Sequence, residues 1–374
     1  MDFNAVEESF EEAVAEGVFP GAVVLVGKDD EVVYERAFGH RSLLPNQTPM
    51  RLDTIFDLAS LTKPLATSVA IMLLVRERKL RLDDQLTRVI PMYGVFGKSV
   101  TTFRHLLSHS AGLPAWKPFF EEIVKSEKSG RINFVASRAA KNYVYEQIHR
   151  EKPAAPPGTQ SVYSDLGFIL LAEAVEILTG SNFDRFCQER IFKPLGLRST
   201  GFVDLTQLRT KRLQPVEELI APTEACPWRK KILCGEVHDD NAYAMGGVAG
   251  HAGLFSSARE VHAFLLRLSR CLSGKDSFLS QTLVQEFLTR NGPVDSNFAL
   301  GWDTPTPGKS ASGSLFSPRS VGHLGFTGCS IWWDLEKNCQ VVLLTNRVHP
   351  SRKNDKIKDF RPHIHDQIMK ALFP

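Results

Sequence analysis

Residues 57–64 read DLASLTKP, and the rest of the chain is best read outward from them. Ser60 and Lys63 stand three positions apart, which places both side chains on one face of a helix. Pro64 follows at once. Proline is tolerated in the first turn of a helix and rejected later, so a helix starts here. A serine hydroxyl is a poor nucleophile until a neighbouring base takes its proton. A lysine acts as that base when burial or nearby positive charge lowers its pKa toward neutrality. A helix start also presents free N–H groups and the positive end of its dipole to an incoming carbonyl oxygen. Alone, the pair reads more readily as a capping serine beside a surface lysine, so the flanking sequence has to decide.

Upstream, GAVVLVGKDDEVVYERAFG (21–39) places two apolar runs around a polar KDDE turn, a hairpin signal. Downstream, LTKPLATSVAIMLLVRERKL predicts a helix, with apolar residues at 65, 69, 72 and 73. Short helices are expected in DDQLTRVIP and TFRHLLSHSAGLP, and two more helical stretches across 115–160. DLGFILLAEAVEILTG is a strong helix, capped by Ser164 or Asp165 and stopped by Gly180. Residues 204–240 are polar and irregular. Ser257 and Glu260 form a capping box for the helix that follows. FALGWD, VGHLGFTGCSIWWDL and CQVVLLTNRV return to strand character, and DFRPHIHDQIMKALF closes the chain as a helix. Strands at both ends with helices between predict an α/β (α+β) fold. One antiparallel sheet, assembled from the two termini and flanked by helices, would carry an inserted, mostly α-helical subdomain. The expected single domain, 1–374, divides into a sheet part near 1–58 and 245–374 and a helical part near 59–244.

Composition narrows the partners. The 374 residues are 43% hydrophobic and 23% charged, enough for a large core without staples. With 45 basic and 42 acidic residues the net charge is +3, too little to argue for nucleic acid. The most basic stretch, 347–365, is expected as a solvated helix face or loop. The acidic N-terminus has no basic n-region, and no apolar run approaches a membrane span, so a cytoplasmic location is expected. None of the six cysteines forms CxxC, so no zinc knuckle is expected and free thiols are. Cys329 and Cys339 flank a turn at DLEKN at unequal distances and would not face each other. His105 and His109 have metal spacing but no HExxH glutamate, and HIH at 363–365 reads as surface. No metal or cofactor is expected. The partner is a small molecule, and the assembly a monomer or homodimer.

Two further motifs carry chemistry. In PPGTQSVYSDLGFILL (156–171), Tyr163 ends a loop just before a helix. Beside a lysine cation a phenol ionises more easily and can relay a proton. In GHLGFTGCSIWW (322–333), glycines bracket the start of an apolar strand, which suits close approach by a ligand. A bare strand edge can pair with an extended substrate. There the N–H of Phe326 can join that of Ser60 in an oxyanion hole.

These three motifs in this order resemble the serine β-lactamase and penicillin-binding-protein superfamily, for which SxxK is a signature. The chain looks most like its class C β-lactamases, family VIII carboxylesterases and related D-Ala-D-Ala peptidases. PGAVVLV, LRLDDQL, TFRHLLSHSAGLP, GGVAGHAGLFSSAREV and VVLLTNR extend the likeness over most of the chain. The resemblance implies Ser60 as the acylated nucleophile and Lys63 as its proton partner. It puts Tyr163 at the family's Tyr-x-Asn position, with Asp165 in place of Asn. His323, Leu324 and Gly325 stand where the family has Lys-Thr-Gly, beside the substrate, and Phe326 supplies the second oxyanion N–H.

The departures point away from β-lactams. The family's lysine and threonine help bind the drug's carboxylate. His323 is mostly neutral at pH 7, Leu324 has no hydroxyl, and Asp165 adds negative charge. These changes imply a neutral ester or amide: a carboxylesterase acting on small esters, with at most weak β-lactam hydrolysis. GEVHDDNAYAMGGVAGHAGLFS (235–256) instead resembles the superfamily's muropeptide-recycling amidases, which makes His238, Asp239 and His251 candidate substrate contacts. The alternatives are therefore a muropeptide amidase or D-Ala peptidase, or a class C-type β-lactamase.

Overall fold

The computed structural model describes residues 1–130 and 133–374. At the centre of its main sheet lies β1 (Gly21–Lys28), whose apolar run is buried on both faces. Successive side chains of a strand point to opposite faces. Accordingly Ala22, Val24 and Val26 join one core cluster, and Val23 and Leu25 the other. β2 (Glu31–Ser42) folds back on β1 through Asp29 and Asp30, both at positive φ, a conformation that aspartate tolerates in turns. β3 (Thr48–Pro49) forms the edge. The C-terminal strands β4 (Val321–Leu324), β5 (Ser330–Asp334) and β6 (Cys339–Thr345) form an antiparallel meander. β6 pairs with β1, Val23 opposite Leu344 and Val26 opposite Val341. The order is β3-β2-β1-β6-β5-β4, so the two ends of the chain build one antiparallel sheet.

Five helices frame the site: α1 (Asn4–Ala15), α2 (Val69–Arg76), α3 (Asp165–Thr179), α4 (Ala258–Leu272) and α5 (Ile357–Leu372). α1 and α5 cover one face of the sheet, where Val6, Phe10 and Ala13 share a core with Ile364, Ile368 and Trp332. The larger core joins the other face to α2, α3 and α4. The chain from Phe56 to Ser256 supplies most of the helices, with two short β pieces, Phe56–Asp57 and Gly201–Phe202, pairing beside Leu254–Ser256.

Several local expectations need correction. Ser164 starts α3, but its hydroxyl donates to the Pro114 carbonyl, and the Asp165 carboxylate turns to Lys63 instead of capping. The capping box of α4 is half formed. Ser257 accepts from the Glu260 N–H, but the Glu260 carboxylate accepts from Arg198, Ser199 and Thr200. FALGWD forms no strand, only isolated bridges at Phe298–Asp303 and Asp303–Gly322. The helical run Ala59–Arg76 does reach a length and apolar character that could cross a membrane, but 83% of it is buried inside the fold. The basic stretch 347–365 is solvated only in part: Lys353, Lys356, Lys358 and His363 are exposed, but Arg347, His349, Arg361 and His365 are buried, because one side of α5 and the end of β6 pack inward. His365 in particular is not at the surface. All six cysteines are free.

Candidate active site

Ser60 is placed by a sharp change of direction. The short strand Phe56–Asp57 ends, Ala59 takes the left-handed region at φ 47, and the 3-10 turn Ala59–Leu61 begins. A non-glycine residue there is held against strain by its surroundings. The buried Asp57 carboxylate provides the hold, accepting the N–H of Ala59 at 2.8 Å and that of His238 at 2.7 Å. Asp57 therefore ties the nucleophile turn to the 235–256 block. Past Ser60 the helix widens into a π-turn over Lys63–Ser68, a form that recurs at functional sites, before α2 begins. Pro64 sits at its start, where a missing N–H costs little.

Lys63 is fully buried and donates to Ser60 Oγ at 3.0 Å, to Asp165 at 2.6 Å and to the His251 carbonyl at 3.3 Å. Burial alone would pull its pKa down, but Asp165 and then Tyr163 overcome that and hold it above the ordinary lysine value. The expectation of a lysine lowered toward neutrality is therefore reversed: at rest Lys63 is an ammonium. Tyr163 packs with its ring 4.7 Å from the Lys63 nitrogen, and its hydroxyl interacts with Lys63 and Ser60. Burial raises the phenol's pKa, Lys63 only partly offsets this, and the group stays above its ordinary value rather than ionising easily. Asp165 lines the cleft, but its carboxylate is committed to Lys63.

His109 supports this face. Its Nδ1 accepts the Ser164 N–H at 3.0 Å, and its ring packs tilted against Tyr163 at 4.6 Å and edge-on to Phe298 at 4.8 Å. It holds the tyrosine loop and contributes to no metal cluster among the described residues.

Opposite stands β4. His323 is buried, and its Nδ1 donates to the Leu324 carbonyl at 2.9 Å. Burial, with Lys63 nearby, lowers its pKa to about 3, so it is a neutral imidazole where the family motif has a cation. Gly325 has no room for a side chain, since a Cβ would lie 2.6 Å from the Leu58 carbonyl. That close approach brings the end of β4 against the Ser60 turn, and Thr327 adds a bond to the Asp57 carbonyl at 2.7 Å. The Phe326 N–H has no hydrogen-bond partner among the described residues. The Phe326 ring is half-exposed at the mouth, between the His238 ring at 5.7 Å and the Arg347 guanidinium at 4.6 Å.

The cleft between these walls has a volume of about 910 Å³ and gathers Ser60, Tyr163, Asp165, His238, Asp239, His323, Leu324, Gly325 and Phe326. His251 lies just behind, bonded to Asp239 at 2.9 Å and buried. His251 and the N–H of Ala242 hold the Asp239 carboxyl far below the usual range, although burial opposes this. Asp303 also lines the cleft, and burial pushes its carboxyl up to about 7. Of the five tryptophans, Trp116 alone is among the lining residues. The sequence reading missed Asp57, Arg347 and Arg361. For Arg361 a signal existed: it takes a position on the apolar stripe Ile357, Ile364, Ile368 of α5.

A serine, a lysine and a tyrosine converge beside a strand edge with an unpaired N–H, on a β-lactamase/transpeptidase-like fold. Residues 6–363 match the β-lactamase family model, and the chain belongs to that family. It is 31% identical over 354 residues, 88% of this chain and 79% of the other, to an Escherichia coli (strain K12) protein named "Putative D-alanyl-D-alanine carboxypeptidase". Among solved structures it is similar to the octameric penicillin-binding protein homologue of Pyrococcus abyssi. The TM-score is 0.72 at 22% identity, covering 100% of this chain and 77% of that one. It is also similar to EstCE1, a hydrolase with promiscuous acyltransferase activity, with a TM-score of 0.70 at 23% identity over 96% and 97% of the two chains. At these identities the structural likenesses speak for the fold alone.

Proposed function

We propose that the protein is a serine hydrolase that works through an acyl-enzyme on Ser60 and takes uncharged acyl substrates, small carboxylic esters first. Ser60 attacks the carbonyl carbon while Lys63 and Tyr163 move its proton to the leaving group. The N–H groups of Ser60 and Phe326 receive the oxyanion, and water then releases the acid. The observation that carries the preference for uncharged substrates is His323. A neutral, buried imidazole and a leucine line the strand edge in place of the family's cation and hydroxyl, and the cleft's cations, Arg347, Arg352, Lys358 and Arg361, lie off that strand.

The second reading is a peptidase or amidase acting on cell-wall peptides. Two observations favour it: the name carried by the relatives at 31% identity, and the placement of His238 and Asp239 in the cleft wall. One rate panel separates the readings. Wild type and Ser60→Ala are assayed on a short-chain p-nitrophenyl ester, a chromogenic cephalosporin and an N-acetylmuramoyl dipeptide. Dominant ester turnover that vanishes in the variant supports the esterase. Dominant muramoyl-peptide cleavage moves the assignment to the peptidase. Hydrolysis undiminished in Ser60→Ala refutes both.

A further inference from the structure

Arg361 is buried on the apolar side of α5, yet it forms no ion pair with a carboxylate among the described residues. A buried charge without a partner of opposite sign is costly and calls for a reason. Its contacts are two backbone carbonyls. One terminal nitrogen, Nη2, donates to Gly325 O at 3.0 Å and to Cys329 O at 2.7 Å. Those carbonyls stand at the neck of the turn that joins β4 to β5, where Gly325 N also donates to Cys329 O and Gly328 N to Gly325 O.

The Gly325 carbonyl and the Phe326 N–H belong to one peptide unit. Among the described residues the cis bonds precede only Pro45 and Pro350, so this unit is trans, and its C=O and N–H point in opposite directions. Gripping the carbonyl from the α5 side therefore aims the N–H away from α5. The next carbonyl, of Phe326, is gripped as well, by Arg347 Nε at 2.9 Å and Nη2 at 2.5 Å. Both carbonyls that bracket the Phe326 N–H are thus held by arginines. A cation on the carbonyl also polarises the amide and makes its N–H a stronger donor. Such a donor stabilises charge only if it is fixed before the charge develops.

We propose that Arg361 is a positioning residue for the oxyanion hole: through the Gly325 and Cys329 carbonyls it fixes the peptide plane that aims the Phe326 N–H at the reacting carbonyl oxygen. This rests on the acyl-enzyme reading above. Arg361 also lines the cleft, but both of its hydrogen bonds go to backbone carbonyls. A positioning role acts on the transition state and leaves substrate binding unchanged, which separates it from direct contact with substrate.

The test compares Arg361→Met and Arg361→Lys with wild type, with Lys370→Ala, an exposed change on the same helix, as the control. Measured are kcat and KM on an activated ester, inhibition by a boronic acid that mimics the tetrahedral oxyanion, substrate Kd in the Ser60→Ala background, and the melting temperature. In Arg361→Met, kcat and boronate affinity are expected to fall together by about tenfold to a hundredfold, the scale of a weakened oxyanion donor, with substrate Kd unchanged. Arg361→Lys, which keeps the charge on a shorter side chain and can hold the carbonyls only in part, is expected to lose less. A folded Lys variant with wild-type kcat and boronate affinity overturns the proposal, even if the Met variant does not fold. So does a loss confined to KM or to melting temperature. Ester hydrolysis that survives Ser60→Ala would instead sink the acyl-enzyme reading, a result distinguishable from any failure at Arg361.

Discussion

Lys63 lies 2.6 Å from Asp165 and 3.0 Å from Ser60 Oγ, so the residue placed to activate the nucleophile is itself held by a carboxylate. Both contacts are made inside the fold, where Lys63 has no exposure to water. Charge is attenuated less there than at a surface, and the pair governs when Lys63 can accept a proton.

Asp165→Asn tests that control. Asp165 raises the Lys63 pKa against the opposing effect of burial, so in wild type the neutral amine appears only at alkaline pH. Removing the opposite charge lets burial dominate and lowers the Lys63 pKa. The rise of kcat/KM with pH should therefore move to lower pH by about one unit or more. Stability should fall at neutral pH, since a buried ammonium loses its partner. The linkage follows the same sign. A lysine whose folded pKa is raised stabilises below the unfolded value of 10.5 and loses that contribution only above it. A pH–rate profile with an unmoved alkaline limb would show that Lys63 is not the group being titrated.

Acid should unfold this protein early, through histidines. Burial lowers the pKa of His323 to about 3, that of His365 to about 4 and that of His109 well below 6.5. Above 6.5 these imidazoles are neutral in both states and contribute no pH dependence. As pH falls below it, the unfolded chain binds protons that the fold refuses, and stability drops until the folded pKa values are reached. Each group contributes a slope of up to about 1.4 kcal/mol per pH unit. Urea midpoints should therefore fall steeply between pH 6 and about 4. His365→Gln, which can still donate to the Ala311 carbonyl, should flatten that slope by about one histidine's share. An unchanged slope in the variant would mean that His365 takes up its proton in the fold.

Much of the site was legible because it is local. Ser60 and Lys63 share a helical face by spacing alone, and the unbroken apolar runs of β1 and β6 announce a sheet buried on both sides. What escaped was set by contacts between distant segments. Nothing near Asp57 in sequence says that its carboxylate will join the turn at Ala59 to residue 238. Asp165 looked like a helix cap and a substrate contact because its partner lies 102 positions away. The stretch 347–365 looked solvated throughout, though only Lys353, Lys356, Lys358 and His363 of its basic residues are exposed, because its charge was counted and its periodicity was not. Arg361 follows the apolar stripe of α5, and the carbonyls that receive it lie in the turn between β4 and β5, 36 and 32 positions away in sequence. The expected ease of ionising Tyr163 failed on magnitude: burial outweighs the nearby Lys63 cation.

The third motif should be convertible. His323→Lys with Leu324→Thr restores a cation and a hydroxyl at the strand edge. A charge-assisted hydrogen bond to a substrate carboxylate contributes about 1.5–3 kcal/mol. Cephalosporin cleavage should therefore rise by about tenfold or more relative to ester hydrolysis in a folded double variant. The new lysine would sit beside Lys63 in a buried position, so a lower melting temperature is expected. If the cephalosporin-to-ester ratio stays at the wild-type value, the strand edge does not select substrate charge.

Gly325→Ala places a methyl where the Leu58 carbonyl now lies, 2.6 Å from the new carbon, with Cys329 Cβ at 3.3 Å. Backbone cannot swing aside as a side-chain tip can. Either the end of β4 moves out or the Ser60 turn moves back, and both separate the Phe326 N–H from the nucleophile. Losing one oxyanion donor costs about 3 kcal/mol in the transition state, so kcat should fall roughly a hundredfold or more. The Ser60 hydroxyl keeps Lys63 at its side, and labelling by a small fluorophosphonate should fall less than ester turnover does. The contrast between the two rates is the measurement. Equal losses would place the damage in the nucleophile turn and not in the hole, and an active Ala variant would show that Leu58 and Gly325 are not in contact during turnover.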